Sequence, residues 1–91
     1  MKQYPYLIVT PDYRRNSGGI RVLHKLAHLL NEAGQTAYVY CKKSNPEWNS
    51  PSISMAKGFE LVKKGAIVVY PEIVSGNPLK AKTVVRSLVS G

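Results

Sequence analysis

The segment Arg14-Arg15-Asn16-Ser17-Gly18-Gly19-Ile20-Arg21 sets a serine and two glycines at the head of an amphipathic run. A helix start presents free N–H groups and the positive end of its dipole, which suits a phosphate or another anion. Gly18 and Gly19 would let a phosphate or sugar oxygen come close to the backbone, and Arg14, Arg15 and Arg21 could add charge-assisted hydrogen bonds. The spacing is not that of a dinucleotide loop, because G-x-G-x-x-G is absent, nor of a P-loop, because no G-K-[ST] follows. The same residues admit a structural reading in which Ser17 caps the helix and the glycines turn the chain.

A second candidate is Tyr70-Pro71-Glu72-Ile73-Val74-Ser75-Gly76-Asn77-Pro78. Glu72 is its only acid, a candidate base or hydroxyl ligand, and Ser75, Gly76 and Asn77 are small hydrogen-bonding neighbours. Glu72 could instead be a solvated loop residue or pair with an arginine of the first loop. His24 and His28 have the i, i+4 spacing of zinc proteases, but Lys25 stands where the catalytic Glu would be and no nearby acid or Cys completes a site. They read as surface histidines on a polar helix face, and no metal or cofactor is expected. Cys41 has no evident base partner, no serine lies in a G-x-S-x-G elbow, and the aromatic residues are too scattered in sequence to suggest a stacking platform for bases.

These loops need a scaffold. Residues 6 to 10, 36 to 41 and 66 to 70 are short apolar, β-favouring runs that read as strands. Leu23, Leu26, Ala27, Leu30 and Ala33 recur at helical spacing after Ile20, and Gly34 supplies a stop signal. Residues 42 to 54 read as a long surface loop. Residues 55 to 64 suggest a short helix facing inward through Met55, Phe59 and Val62 and ended by Gly65. Asn77 and Pro78 are helix-start signals, and Ala81, Val84, Val85 and Leu88 extend the pattern to a second amphipathic helix over residues 78 to 89. The sum is an α/β chain, a small Rossmann-like three-layer unit on a short parallel sheet. Both candidate loops then fall at the carboxyl ends of strands, on one rim, where parallel sheets bind ligands.

The chain has 91 residues, enough for one domain, with a net charge of +8. That charge favours anionic partners, but the lysines and arginines are dispersed along the chain, which makes nucleic acid an unfavoured partner. No stretch reaches the roughly 18 apolar residues of a membrane span, and a single cysteine precludes an internal disulfide, so cytoplasmic residence is expected.

The segment SGGIRVLHKLAHLLNEAGQTAYVY resembles the opening of GT-B glycosyltransferases: a glycine pair after the first strand, a helix of the form R-V-L-x-x-L-A-x-x-L-x-x-x-G, then a second strand. The segment IVVYPEIVSGNPLKAKTVVRSLVSG is similar to a later part of the N-terminal domain of bacterial, rhamnosyltransferase-like members. The resemblance covers residues 6 to 91, with residues 42 to 65 least matched. It implies that residues 1 to 91 are a partial N-terminal, acceptor-side domain of an enzyme transferring a sugar from a nucleotide-sugar to a glycan or other acceptor in polysaccharide assembly. Gly18 and Gly19 would then face the cleft near the donor phosphates and the transferred sugar. Arg21 would meet phosphate charge, and Glu72 with Ser75 to Asn77 would form a loop on the same rim. Because the resemblance places the donor site in a C-terminal domain absent from this chain, it implies no catalysis by residues 1 to 91 alone. The other readings are a basic module for nucleic acid or another polyanion, and a ligand-free domain that pairs in a homo-oligomer through an exposed sheet edge.

Overall fold

Tyr6-Leu7-Ile8-Val9 sets bulky and β-branched residues on alternating faces, and in the computed structural model, which describes residues 4–71 and 76–87, they form the inner strand β1 (Tyr6–Val9). β2 (Ala37–Tyr40) lies parallel on one side of β1 and β3 (Ile67–Pro71) parallel on the other. β4 (Thr83–Ser87) runs parallel beside β3, so the sheet order is β2-β1-β3-β4. α1 (Gly18–Glu32) joins β1 to β2, and α2 (Met55–Lys63) joins β2 to β3. This is the expected small Rossmann-like α/β unit.

The period of two in β1 divides the core. Ile8 faces α1 with Leu23, Ala27, Ala37, Val39 and Val69, while Leu7 faces the other way with Val68, Tyr70, Leu79 and Ala81. The helices therefore cover opposite faces: Leu26 and Leu30 of α1 pack on the first cluster, and Val62 of α2 packs on the second. Full burial of residues such as Leu7, Ile8 and Leu23 contributes roughly 1.5–3 kcal/mol each.

Both helices stop where glycine permits a left-handed residue. Gly34 has φ 88° and Gly65 φ 96°. In α1, Gln35 N–H donates to Leu30 O at 2.9 Å and Gly34 N–H to Asn31 O at 3.2 Å. In α2, Ala66 N–H donates to Leu61 O at 3.0 Å and Gly65 N–H to Val62 O at 3.0 Å, so the two ends share one Schellman pattern.

Three expectations fail for identifiable reasons. The helix over residues 78 to 89 is absent: residues 83 to 87 are a strand, and residues 88 and 89 lie outside the described residues. Thr83, Val84 and Val85 are β-branched, and β3 offers them an unpaired row of backbone groups. Asn77 and Pro78 do begin a turn, with Lys80 N–H donating to Asn77 O at 2.9 Å, but Lys80 takes φ 54° and ends it. Second, His24 is not on the surface; it is fully buried on the α1 face beside Leu23 and Ala27. Third, Met55 and Phe59 are exposed, and α2 approaches the sheet through Gly58, where an added Cβ would lie 3.2 Å from the Tyr40 ring.

The outer edge of β2 is covered by its own loop: Val39 N–H donates to Pro51 O at 2.9 Å and Ile53 N–H to Val39 O at 3.1 Å. β4 has no strand on its outer edge among the described residues. Nor is any described helix long and apolar enough to cross a membrane.

Candidate functional site

The strand order reverses between β1 and its neighbours, so the loop after β1 sits at the switch point where parallel sheets open a crevice at their carboxyl ends. Gly18 and Gly19 are the first two residues of α1, with Ser17 as N-cap and its Oγ accepting from Ile20 N–H at 3.5 Å. Positive φ values occur among the described glycines only at Gly34, Gly65 and Gly76, so the pair is not needed to turn the chain. Gly19 is buried, whereas a Cβ on Gly18 would meet nothing within 4 Å.

The loop leading to this helix start is tied to the loop after β2. Asp12 Oδ1 accepts from Lys42 N–H at 2.8 Å and Lys43 N–H at 3.0 Å, and Tyr13 N–H donates to Lys43 O at 2.9 Å. The two backbone donors, Lys43 first and then Lys42, hold the Asp12 carboxyl below the ordinary aspartate value of 3.8. A depressed carboxylate gives stability that is fully present above its unfolded-state pKa and disappears as pH falls through the folded one. The Lys42 and Lys43 amide resonances are therefore expected to hold steady from neutral pH down to about 4 and to move together in more acidic solution. A pH series of amide spectra checks this.

Beneath the loop, His24 Nε2 lies 2.9 Å from Pro11 O, and because a carbonyl only accepts, this nitrogen carries the proton. Tyr13 packs edge-on against the His24 ring at 5.4 Å. Cys41 follows β2, where burial first and the Asp12 charge second push its thiol up to about 11. At neutral pH it is therefore a protonated, weakly reactive thiol.

The second wall comes from residues 42 to 50, which are fixed at several points. Asn45-Pro46-Glu47-Trp48 is a β-turn in which Trp48 N–H donates to Asn45 O at 3.1 Å and Glu47 N–H to Asn45 Oδ1 at 2.9 Å. Asn at the first position and Pro at the second suit such a turn, and the absence of positive φ at Glu47 makes it type I. Asn49 N–H donates to His28 Nδ1 at 2.8 Å. Asn31 brackets the same segment, donating to Ala37 O at 2.9 Å and Asn49 O at 2.8 Å while accepting from Ala37 N–H at 2.8 Å.

The turn carries Trp48 to within 5.4 Å of the Tyr13 ring, edge-on, and 6.1 Å of His28. Between the walls lies a groove of about 630 Å³ lined by Tyr13, Arg15, Arg21, Asn45, Glu47 and Trp48, with Pro46 at its margin. Trp48 and Arg21 also border an adjoining hollow that includes Lys25, whose Nζ stands 5.0 Å from the centre of the indole ring.

Of the residues singled out in sequence, Arg15 and Arg21 line this groove, whereas Gly18 and Gly19 start the helix that carries Arg21 but are not among the lining residues. Gly76 and Asn77 are not among its lining residues. Gly76 is exposed at φ 72° with its carbonyl accepting from Arg86, and Asn77 is committed to the fold. Asn77 Oδ1 accepts from the buried Tyr70 hydroxyl at 2.6 Å and from Ala81 N–H at 3.1 Å, while Nδ2 donates to Ala81 O at 2.7 Å. Glu72 and Ser75 lie outside the described residues.

Tyr13, Asn45 and Trp48 went unremarked in sequence, yet all three line the groove, with the Tyr13 and Trp48 rings in edge-on contact. Their signal was the N-P-E-W turn, which places the chain's only tryptophan in a polar loop just after a strand. Among the described residues, no group of His, Cys, Asp and Glu could hold a metal ion. No family model, curated protein or solved structure matches the chain.

Proposed function

We propose that the chain is the acceptor-side part of a glycosyltransferase and that a sugar or sugar phosphate lies in the groove between the start of α1 and the Asn45–Trp48 turn. One observation carries the reading. Arg15, Arg21 and the Trp48 indole converge at the carboxyl rim of the sheet, beside a helix start whose first residue leaves its side-chain space open.

The chemistry fits the parts. Free N–H groups at the start of α1 can stabilise charge that develops on a diphosphate leaving group, which leaves the two guanidinium groups to the sugar in the groove. The flat indole suits the apolar C–H face of a pyranose, and Glu47 can accept from sugar hydroxyls. Glu72 remains the candidate base for the acceptor hydroxyl. The donor nucleotide would be held mainly by a second domain, as the resemblance to GT-B enzymes implies.

Titrating the isotopically labelled chain with nucleotide-sugars and short glycans tests this. The amides of Gly18, Gly19 and Arg21 and the Trp48 indole N–H are expected to shift together. Saturation without a response from these groups would sink the reading. Gly18→Ala sharpens the test: helical φ and free space at the Cβ favour a gain of about 0.4–1 kcal/mol in thermal or denaturant unfolding. If ligand oxygens approach the backbone there, the same variant loses affinity despite its greater stability.

A further inference from the structure

We infer that the saccharide taken by this groove is anionic, carrying a phosphate or a uronic-acid carboxylate next to the ring that packs on Trp48. The inference rests on the transferase reading of the rim and names the class of acceptor.

The charge around the indole is unbalanced. Arg15 and Arg21 line the groove and Lys25 stands over the ring, against one acid, Glu47. The ion pairs between described residues are Lys57 with Glu60 and Lys64 with Glu60, so none of these three cations is neutralised by a described carboxylate. Of the other acids near this segment, Asp12 already accepts from two backbone N–H groups and Glu32 Oε2 accepts from Asn49 Nδ2 at 3.5 Å. Arg15 and Arg21 outnumber Glu47 in the groove lining and Lys25 adds to the excess from the adjoining hollow, so a neutral glycan would leave a net positive charge unmatched, whereas one phosphate or carboxylate can accept from both guanidinium groups.

The aromatic component selects what carries that charge. An inorganic anion would make no use of the indole, while a pyranose offers it an apolar face and offers Asn45 and Glu47 its hydroxyls. A volume of about 630 Å³ is ample for a mono- or disaccharide. The turn and the brackets at Asp12 and Asn31 hold the walls in place before any ligand arrives, which limits the ordering cost of binding.

Trp48 is the only tryptophan in the chain, so its fluorescence reports on this groove directly. The probes are a glucuronate-containing disaccharide and its neutral glucose counterpart, glucose 1-phosphate and glucose, inorganic phosphate, and a single-stranded oligonucleotide. At least one charged saccharide is expected to bind about tenfold or more tighter than its neutral partner. That advantage should shrink with salt and fall to about threefold or less in Arg21→Gln. The pair showing the difference distinguishes phosphate from carboxylate recognition.

Equal affinity for charged and neutral partners overturns the charge inference and leaves the saccharide site standing. Inorganic phosphate binding as tightly as glucose 1-phosphate, with no disaccharide bound, removes the saccharide. Quenching by the oligonucleotide alone, or by none of these ligands, overturns both this inference and the reading of the rim.

Discussion

Asn77→Ala is expected to lower stability by about 2–3 kcal/mol, a fall in Tm of roughly 10–20 °C for a domain of this size. The side chain closes the β3–β4 connection from within: it accepts from the Tyr70 hydroxyl and Ala81 N–H and donates to Ala81 O. Tyr70 is 1% exposed, and its hydroxyl also accepts from Leu79 N–H at 2.9 Å. Removing Asn77 strips partners from groups that water reaches poorly, and an unmet buried donor or acceptor costs about 1–3 kcal/mol.

Tyr70→Phe should destabilise by a similar route, because Leu79 N–H and Asn77 Oδ1 each lose a partner. Since the two residues form one network, the double variant should cost less than the sum of the singles, with a coupling of about 1 kcal/mol or more. Denaturant melts of the four proteins measure it. Strict additivity would mean that the pair does not act as a unit. If Asn77 were instead a ligand-binding residue, Asn77→Ala would weaken binding and leave the melts nearly unchanged.

Trp48→Ala is the second large effect, and it falls on binding. A central aromatic anchor in a groove commonly contributes 2 kcal/mol or more, so affinity for the proposed saccharide should fall by about 30-fold or more, read by calorimetry because the fluorophore is gone. The fold should lose less. The edge-on contact with Tyr13 and the exposed Lys25 contact contribute roughly 0.5–1.5 and 0.5–1 kcal/mol respectively. The 45–48 turn depends on Asn45 and Pro46 and should survive.

Trp48→Phe keeps a flat ring and should recover part of the affinity, whereas Trp48→Leu keeps apolar bulk without the ring face. Equal affinity in the Phe and Leu variants would show that the indole acts as filler. Unchanged affinity in Trp48→Ala would remove the groove from consideration.

Much of the scaffold was legible because its causes are local. The apolar runs at residues 6 to 10 and 36 to 41 contain β1 and β2, the run at 66 to 70 contains all of β3 but Pro71, and Leu23, Leu26, Ala27 and Leu30 marked the core stripe of α1. Gly34 and Gly65 announced the helix ends, since a left-handed residue is needed there and glycine takes it without steric cost. The site was half legible. Ser17, Gly18 and Gly19 could be recognised as a helix start with Arg21 just after it, but nothing local said that Tyr13 and Trp48 would line a groove with Arg21.

What sequence alone determined, then, was a parallel α/β unit with a helix start at the carboxyl rim of its sheet. Tertiary structure decided the rest through contacts between distant segments. Val84 and Val85 satisfied a helical period and a strand propensity alike, and pairing with β3 selected the strand. His24 occupied a position that helical periodicity assigned to solvent, and the Pro11 carbonyl gave it a buried partner. Trp48 was a lone aromatic in a polar loop until Asp12, Asn31 and His28 tied that loop against α1 and brought the indole beside Tyr13 and Arg21. Hydrogen bonds between residues far apart in sequence have no periodic signature, so the groove becomes visible only once the chain has folded.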